Sequence, residues 1–246
     1  MTVRALRPML LPGLVVIAGL AVLIGLGVWQ LERLGWKEGL IATLDRRLSA
    51  APTALPPAAA WGRLDAQDDE FRRVTFEATF LLDKEAPVFS AGSALRPDVS
   101  GPGYWIFTPA RLSDGRIVMV DRGFVPDGFR DPKARPQGQV AGPIRILGAL
   151  RWPEEPGWFA PANDPAHNLW YRREPAAMAQ ALGIGPVAPF YVAQEAPVPP
   201  GGLPKPGPLT PNLRNAHLQY ALTWFGLAAV LAIVFLSRVI GRRRDI

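Results

Sequence analysis

Two stretches without a charged residue lie near the ends of the chain. The first spans 24 residues from Pro8 to Leu31, and the second spans 20 residues from Leu218 to Ser237. A helix of either length is long enough to cross the hydrocarbon core of a bilayer, which is about 30 Å thick. The pattern therefore predicts two transmembrane helices, over residues 9–30 and 217–237, with the lipid bilayer as one partner of the chain.

The helical spacing of apolar residues continues beyond the first span. Further along the chain, apolar and polar residues alternate instead. Apolar residues spaced three, four or seven apart, from Leu34 to Leu48, predict an amphipathic helical extension over residues 31–50. The proline-containing segment 51–60 predicts a semi-rigid linker. From Val74 to Phe80, apolar and polar side chains alternate, which is typical of a half-buried strand.

Strand signals dominate the middle of the chain. Residues 113–115, Ser-Asp-Gly, predict a hairpin turn, and Ile117–Val120 is apolar on both faces, as in a central strand. One soluble helix is predicted at Glu174–Leu182. Other strands are expected at Val88–Ser90, Tyr104–Leu112, Arg116–Phe124, Ile144–Leu150 and Phe190–Gln194. The predicted fold class is a membrane protein whose two transmembrane helices flank a β-rich, barrel- or sandwich-like α+β domain at 61–195, with a proline-rich strap at 196–214.

The excess positive charge of the chain is concentrated outside the two spans. The terminal tails carry six arginines and one aspartate, a net +5 of the total +6, whereas the middle carries only +1. The positive-inside rule then places both termini in the cytoplasm and the central domain in the periplasm, with a bacterial inner membrane as the location. Because membrane topology explains the excess positive charge of the chain, no nucleic-acid partner is expected. A cleaved signal peptide is the less favoured alternative, because no small-residue cleavage site follows the first span.

The amino-acid composition excludes several kinds of active site. The chain has no cysteine and two histidines, which excludes disulfides, thiol nucleophiles, Cys-zinc sites and c-type haem attachment. The motifs of P-loop enzymes, G-x-S-x-G hydrolases and H-E-x-x-H metalloproteases are absent as well. We therefore expect a protein that is not an enzyme and has no catalytic residues. His167 is expected to be exposed and structural, and Asp121-Arg122 to be a local ion pair or turn brace.

His217 offers the chain's most distinctive chemistry. It opens the second span, and Tyr220 and Trp224 follow at spacings of three and seven, so the three are expected to share one helix face. A neutral imidazole in partly apolar surroundings is a good axial ligand of haem iron, and aromatic neighbours can contact a porphyrin ring. A belt of aromatic residues at the membrane interface explains the same pattern, so the residues alone leave both interpretations open.

The end of the first span offers a matching surface. Trp29 and Arg33 lie four residues apart on one face, and Gln30 is the only amide within the apolar run. Arg33 is suited to pair with a porphyrin propionate, and equally suited to reach lipid phosphate. If the two spans pack together, these residues border one cleft with His217 and Trp224.

Motifs at both ends and in the middle of the chain point to one known family. They are Gly27–Arg33 (GVWQLER), Gly103–Pro109 (GYWIFTP), Val120–Pro126 (VDRGFVP), Asn168–Tyr171 (NLWY) and Asn215–Phe225 (NAHLQYALTWF). With these motifs the chain resembles the Surfeit locus protein 1 family over nearly its whole length, in the same order and topology. Asp121 stands at a position where that family usually has asparagine. Ala216 stands at a position where it often has asparagine.

The resemblance implies an assembly factor for haem-copper cytochrome c oxidase, a chaperone of the respiratory chain. It implies that haem a is bound transiently, that His217 ligates the haem iron, and that oxidase subunit I is a partner, with haem A synthase as a further candidate. Trp224, Tyr220 and Trp29 then become the expected ring contacts, and Arg33 the expected propionate contact. Two alternatives stay open: a scaffold that holds nascent subunit I without binding haem, and a membrane-anchored enzyme or sensor unrelated to the oxidase.

Overall fold

Contacts within the chain divide it into two units. The computed structural model describes residues 7–93, 95–153, 161–210 and 215–244. The helix unit comprises Met1–Ala42 and Leu213–Ile246, and the β unit comprises Thr43–Asn212. The helices are α1 (Arg7–Ser49), α2 (Ala66–Asp69), α3 (Pro175–Ala181) and α4 (His217–Arg244). Arg4 and Asp245, two of the charged tail residues, lie outside the described residues.

Both terminal helices are long and apolar. α1 runs without a break through the residues predicted as a span and as an amphipathic extension. The segments Leu11–Ser49 and His217–Gly241 are long and apolar enough to cross a membrane, which suggests insertion into a bilayer. The last turns of α1 belong to the β unit, where Leu44 is buried and Arg47 donates hydrogen bonds to the carbonyls of Gln67 and Glu70.

The β unit is built around one sheet that closes on itself. Its strands are β1 (Thr53–Ala54), β2 (Arg73–Phe80), β3 (Ala86–Gly92), β4 (Ser100–Leu112), β5 (Ile117–Pro126), β6 (Pro143–Arg151) and β7 (Val187–Ala196). Their order is β1-β2-β6-β7-β5-β4-β3, and β2 also pairs with β4. That extra pairing closes β2, β6, β7, β5 and β4 into a barrel-like ring. Terminal apolar helices that flank a β-rich, barrel-like domain confirm the predicted fold class.

Most neighbouring strands in the ring are antiparallel, and β5 and β7 pair in parallel. The predicted hairpin joins β4 to β5, where the Leu112 amide donates to the Arg116 carbonyl at 2.8 Å. Gly115 has φ of +83° in this turn, a conformation that favours glycine. The Ser-Asp-Gly signal for a turn is therefore confirmed.

Apolar side chains on the two faces of the sheet form separate buried clusters. Val118 and Val120 of β5 join Phe190 in one cluster, whereas Met119 between them joins Tyr191 in the other. Successive side chains of a strand point to opposite faces, so β5 carries apolar residues toward both clusters. The prediction of a central strand is confirmed, because β5 pairs on both sides and is buried along nearly its whole length.

Residues 51–60, predicted as a linker, form part of the β unit. β1 lies within this segment and pairs in parallel with β2, and the Leu55 amide donates to the Thr75 carbonyl at 3.2 Å. The Trp61 indole donates to the Pro56 carbonyl at 2.9 Å. Proline lacks an N–H but keeps an extended backbone and a carbonyl acceptor, so it is tolerated along a sheet edge.

The described part of the strap, residues 196–210, is bound along the β unit, and residues 211–214 lie outside the described residues. Lys205 and Phe124 exchange both backbone hydrogen bonds, at 3.1 and 2.8 Å. The buried guanidinium of Arg96 donates to the carbonyls of Lys205, Pro206 and Gly207. These contacts hold the strap in place although it forms no long strand.

Gly123 of β5 permits the close approach of the strap. Its φ is +114°, and a Cβ at this position would lie 2.2 Å from the Lys205 carbonyl oxygen. Backbone atoms on both sides of this contact are fixed by hydrogen bonds, so neither side can move away without losing them.

We predict that Gly123→Ala destabilises the β unit by about 2 kcal/mol or more, because it adds a steric clash to an unfavourable φ. Urea unfolding of the full chain in detergent, followed by tryptophan fluorescence, measures the change. Gly185→Ala is the control, because Gly185 has open space around its Cα and no positive φ. Equal unfolding midpoints for the two variants would contradict the proposed strap contact.

Candidate functional site

Within the helix unit, α1 and α4 pack against each other in antiparallel orientation. A Cβ added to Gly27 would lie 2.5 Å from Phe225 Cε1, and one added to Gly19 would lie 3.2 Å from Leu231 Cδ2. The residue numbers of the contacts increase along α4 as they decrease along α1, so the two helices run antiparallel. Glycine lets helix backbones approach closely, as is common where helices pair inside membranes.

One hydrogen bond between polar side chains joins this helix pair. Nδ1 of His217 lies 2.7 Å from Oε1 of Gln30, across 187 residues of sequence. An amide oxygen only accepts hydrogen bonds, so Nδ1 of a neutral imidazole must carry the proton and donate it. The other ring nitrogen, Nε2, then holds a lone pair. Gln30 therefore selects the tautomer of His217 that can bind a metal through Nε2.

The neighbours of His217 on α4 differ in their exposure. Ala221 and Ala228 are buried, and Trp224 is half-buried, so these residues share the side that faces α1. Tyr220 is 55% exposed. Its spacing of three from His217 and four from Trp224 keeps it beside them on α4, at the exposed edge of this face.

The predicted residues of α1 lie on its exposed surface. Trp29 is 50% exposed, and the guanidinium of Arg33 stacks on the ring of Trp36 at 4.6 Å from its centroid. The structure thus brings together Gln30 and His217 and leaves Trp29 and Arg33 on the outside of α1. Sequence analysis missed Gln30 as the partner of His217, although its position as the only amide in an apolar run was a usable signal.

A groove of about 670 Å³ runs beside the start of α4. It is lined by residues of α4 and of the two positions before it, including Asn215, Leu218 and Leu222. Oδ1 of Asn215 is buried and has no hydrogen-bond partner among the residues that the structure describes. The segment that carries His217 therefore borders a groove of mixed polar and apolar lining.

In the β unit, Arg122 belongs to a buried charge cluster with Glu85 and Arg135. Arg122 donates to Glu85 at 3.0 Å and also bonds the Gly138 carbonyl, and Arg135 pairs with the same carboxylate. Burial lowers the pKa of Arg122 to about 10, although Glu85 opposes the shift. The three side chains are largely buried, and their arrangement is that of a structural brace.

Asp121 does not pair with its neighbour Arg122. Its Oδ1 accepts the backbone N–H of Gly123 at 3.0 Å, a local bond within β5, so neither the predicted ion pair nor a turn is found at this position. Its side chain points away from the Glu85 cluster, because successive residues of β5 face opposite sides of the sheet.

His167 is confirmed as an exposed residue. Its side chain is 75% exposed, and its Nδ1 lies 2.7 Å from Asp164 Oδ2 within the same loop. Among the described residues, no group of three or more histidine, cysteine, aspartate or glutamate side chains is placed to hold a metal ion. His217 is therefore the better candidate ligand of the two histidines.

Comparison with known proteins gives a consistent match over most of the chain. The model of the SURF1 family matches residues 17–229. A SURF1-like protein of Monosiga brevicollis is 40% identical over 231 residues, which cover 89% of this chain and 85% of that protein. Surfeit locus protein 1 of Rattus norvegicus is 36% identical, covering 89% of this chain and 72% of its own length. The Homo sapiens protein of the same name is 34% identical, with 87% and 73% covered.

We predict that Glu85→Gln lowers the free energy of unfolding of the β unit by about 3 kcal/mol, because it leaves two buried guanidiniums without their shared carboxylate. Urea unfolding of the full chain provides the value. The control is Glu174→Gln, which breaks a partly exposed ion pair with Arg172 and should cost less than about 1 kcal/mol. Similar losses in the two variants would show that the cluster is not a brace.

Proposed function

The chain belongs to the SURF1 family, and on this premise we propose that it is a membrane-bound assembly factor for cytochrome c oxidase. In this role it is not an enzyme. It binds haem a as cargo and aids its insertion into subunit I of the oxidase, and haem A synthase is the candidate donor. The helix pair is the binding region, and His217 is the ligand of the haem iron.

The hydrogen bond between His217 and Gln30 is the observation that carries this proposal. Donation from Nδ1 to the Gln30 amide oxygen orients the ring and leaves Nε2 as the nitrogen available to iron. A histidine that ligates a metal usually donates its other N–H in this way, which fixes the ring and raises its basicity. Gln30 therefore supplies the orienting hydrogen bond that a haem-binding histidine needs.

The residues around His217 also suit a porphyrin. Trp224 lies on the side of α4 that faces α1, and Trp29 and Tyr220 present exposed aromatic surface for further ring contacts. Arg33 is the proposed partner of a propionate, and binding there would compete with its stacking on Trp36. Haem bound to His217 would supply the iron and the extended apolar ring that the oxidase subunit receives.

Ligation by one histidine favours transient binding. His167 is engaged with Asp164 in the β unit, and Met119 and Met178 are fully buried in its core. With cysteine absent, His217 is left as the single protein ligand that we propose. One axial ligand holds haem less firmly than two, which suits a carrier that must release its cargo.

We further propose that both helices span a bacterial inner membrane. The six arginines of the tails then lie in the cytoplasm with both termini, and the β unit lies in the periplasm. This topology puts His217, at the start of α4, at the periplasmic side of the bilayer. It also exposes the whole β unit to a partner on that side.

A visible absorption spectrum tests haem carriage. We predict that the chain purified from a host that makes haem A shows a Soret band, and that His217→Ala abolishes it. Gln30→Leu should weaken haem affinity by about tenfold, because His217 loses the acceptor that orients it. Titration of haem into the purified protein measures this ratio.

The matched control is His167→Ala, which removes the other histidine and should leave the Soret band and the affinity unchanged. Wild-type protein without haem, from cells in which haem A synthase is active, would overturn haem carriage and favour the scaffold that holds subunit I. Equal haem affinity in the wild type and in Gln30→Leu would refute the proposed role of the Gln30 amide in orienting His217.

A single-cysteine experiment tests the topology, because the natural chain contains no cysteine. Ser113, exposed at the β4–β5 turn, is replaced by cysteine. We predict that a membrane-impermeant maleimide labels Ser113→Cys in cells with a permeabilised outer membrane and an intact inner membrane. Labelling only after lysis would place the β unit in the cytoplasm and overturn the proposed orientation.

A further inference from the structure

The room for a side chain on α1, where this helix faces α4, decreases along the helix pair. A Cβ added to Gly13 would meet α4 at 3.7 Å, an ordinary van der Waals distance. At Gly19 the corresponding distance is 3.2 Å, and at Gly27 it is 2.5 Å, which is shorter than real Cβ contacts. The tightest point therefore lies three residues before Gln30, at the end of the pair that carries His217.

The ring of Phe225 occupies this point with three of its atoms. A Cβ on Gly27 would lie 2.5 Å from Cε1, 2.7 Å from Cζ and 2.9 Å from Cδ1 of that ring. Cζ lies on the axis about which the ring turns, so rotation of the ring about χ2 leaves this contact in place. A side chain at position 27 would therefore have to separate the two helices or drive Phe225 out of its rotamer.

Gly27 lies close to the hydrogen bond between Gln30 and His217. It precedes Gln30 by three residues on α1, so the two share one helix face and their Cα atoms are about 4.5 Å apart along the helix axis. A separation of the helices at Gly27 would therefore act on the hydrogen bond as well.

The hydrogen bond tolerates less displacement than the contact at Gly27 would require. An ordinary Cβ contact begins at 3.4 Å, so a methyl group on Gly27 needs about 0.9 Å more room than the 2.5 Å present. Nδ1 of His217 lies 2.7 Å from Oε1 of Gln30. The same separation of the helices would lengthen this distance to about 3.6 Å, which is beyond hydrogen-bond range.

α4 also places a small residue at this end of the pair. Ala221 is 1% exposed and follows His217 by four residues, about one turn of the helix. Small residues let backbones approach where helices pair in membranes. Gly25, two residues before Gly27, instead has no atom of a neighbour within 4 Å of an added Cβ. The close packing is therefore specific to the face of α1 that carries Gln30.

We propose that Gly27 is the positioning residue of the haem-binding histidine. Because it has no side chain, the Phe225 ring packs on the α1 backbone and Gln30 stays within hydrogen-bonding distance of His217. That hydrogen bond keeps the proton of the imidazole on Nδ1 and the lone pair on Nε2. Gly27 acts through Gln30 and needs no contact with haem. The link to haem rests on the proposed function, whereas the effect on the His217 tautomer does not.

Nitrogen-15 NMR of the full-length, haem-free chain in detergent tests the effect on the tautomer, because ring nitrogens with and without a proton differ in chemical shift. His167→Ala is the background, so that His217 is the one labelled histidine. At alkaline pH, where an ordinary imidazole is neutral, we expect a single tautomer when Gly27 is present. In Gly27→Ala we expect a mixture of both tautomers, because the hydrogen bond to Gln30 is lost.

Gly25→Ala is the matched control. It adds the same methyl group to the same helix without a clash, and alanine raises helix propensity at both positions, so it should keep the single tautomer. The double variant Gly27→Ala/Phe225→Ala removes the ring that the new methyl group meets and should restore the single tautomer. A single tautomer in Gly27→Ala, a mixture in Gly25→Ala, or no restoration in the double variant would each overturn the proposal.

Haem titration extends the test to function. Gly27→Ala should bind haem about tenfold more weakly than the wild type, because His217 loses its orienting partner. Gly27→Ala/Gln30→Leu should bind haem no more weakly than Gln30→Leu, because both changes remove the same hydrogen bond. Additive losses of affinity would overturn the role assigned to Gly27. Absence of haem binding in the wild type would refute the proposed function and leave the NMR result valid, so the two proposals fail separately.

Discussion

A polar group that is removed from water must find a hydrogen-bond partner, and this constraint applies in each of the two units of the chain. An unpartnered buried group costs about 1–3 kcal/mol, and inside a bilayer no water is available to relieve the cost. In the helix unit, the partly buried side chains of Gln30 and His217 form a hydrogen bond with each other. In the β unit, Glu85 satisfies Arg122 and Arg135 together. Each pairing crosses a long stretch of sequence, so it can form only after its elements have packed.

The bond between Gln30 and His217 ties the architecture of the helix pair to its chemistry. A leucine at position 30 would pack as well in an apolar interface, but it would leave His217 without a fixed tautomer. With the Gln30 amide present, the hydrogen bond that joins the two helices also leaves Nε2 of His217 with a lone pair that can bind a metal. The packing of Phe225 on Gly27 keeps the helices close one turn away, so the donor–acceptor distance depends on this glycine as well.

Sequence reasoning succeeded where a single segment carries its own signal. The charge-free runs predicted α1 and α4, alternation predicted β2, and Ser-Asp-Gly predicted the hairpin between β4 and β5. Sequence reasoning failed where the role of a segment depends on a partner far away in the sequence. Nothing local marks residues 51–60 as a sheet edge, because β1 exists only through its pairing with β2. Likewise Gln30 has no periodic signature, and its role depends on a residue 187 positions later.

The same constraint is met only in part by several buried side chains of the β unit. Gln139 and Gln194 each keep one unsatisfied oxygen, but their amide nitrogens are bonded, to Glu85 and to the Pro197 carbonyl. Trp105 and Thr108 each have one polar side-chain atom, and it is buried without a hydrogen-bond partner among the described residues. The guanidiniums of Arg96 and Arg173 lie over the Trp105 ring, at 5.6 and 5.7 Å from its centroid. These cation–π contacts stabilise the ring and offset part of the cost of its unmet N–H.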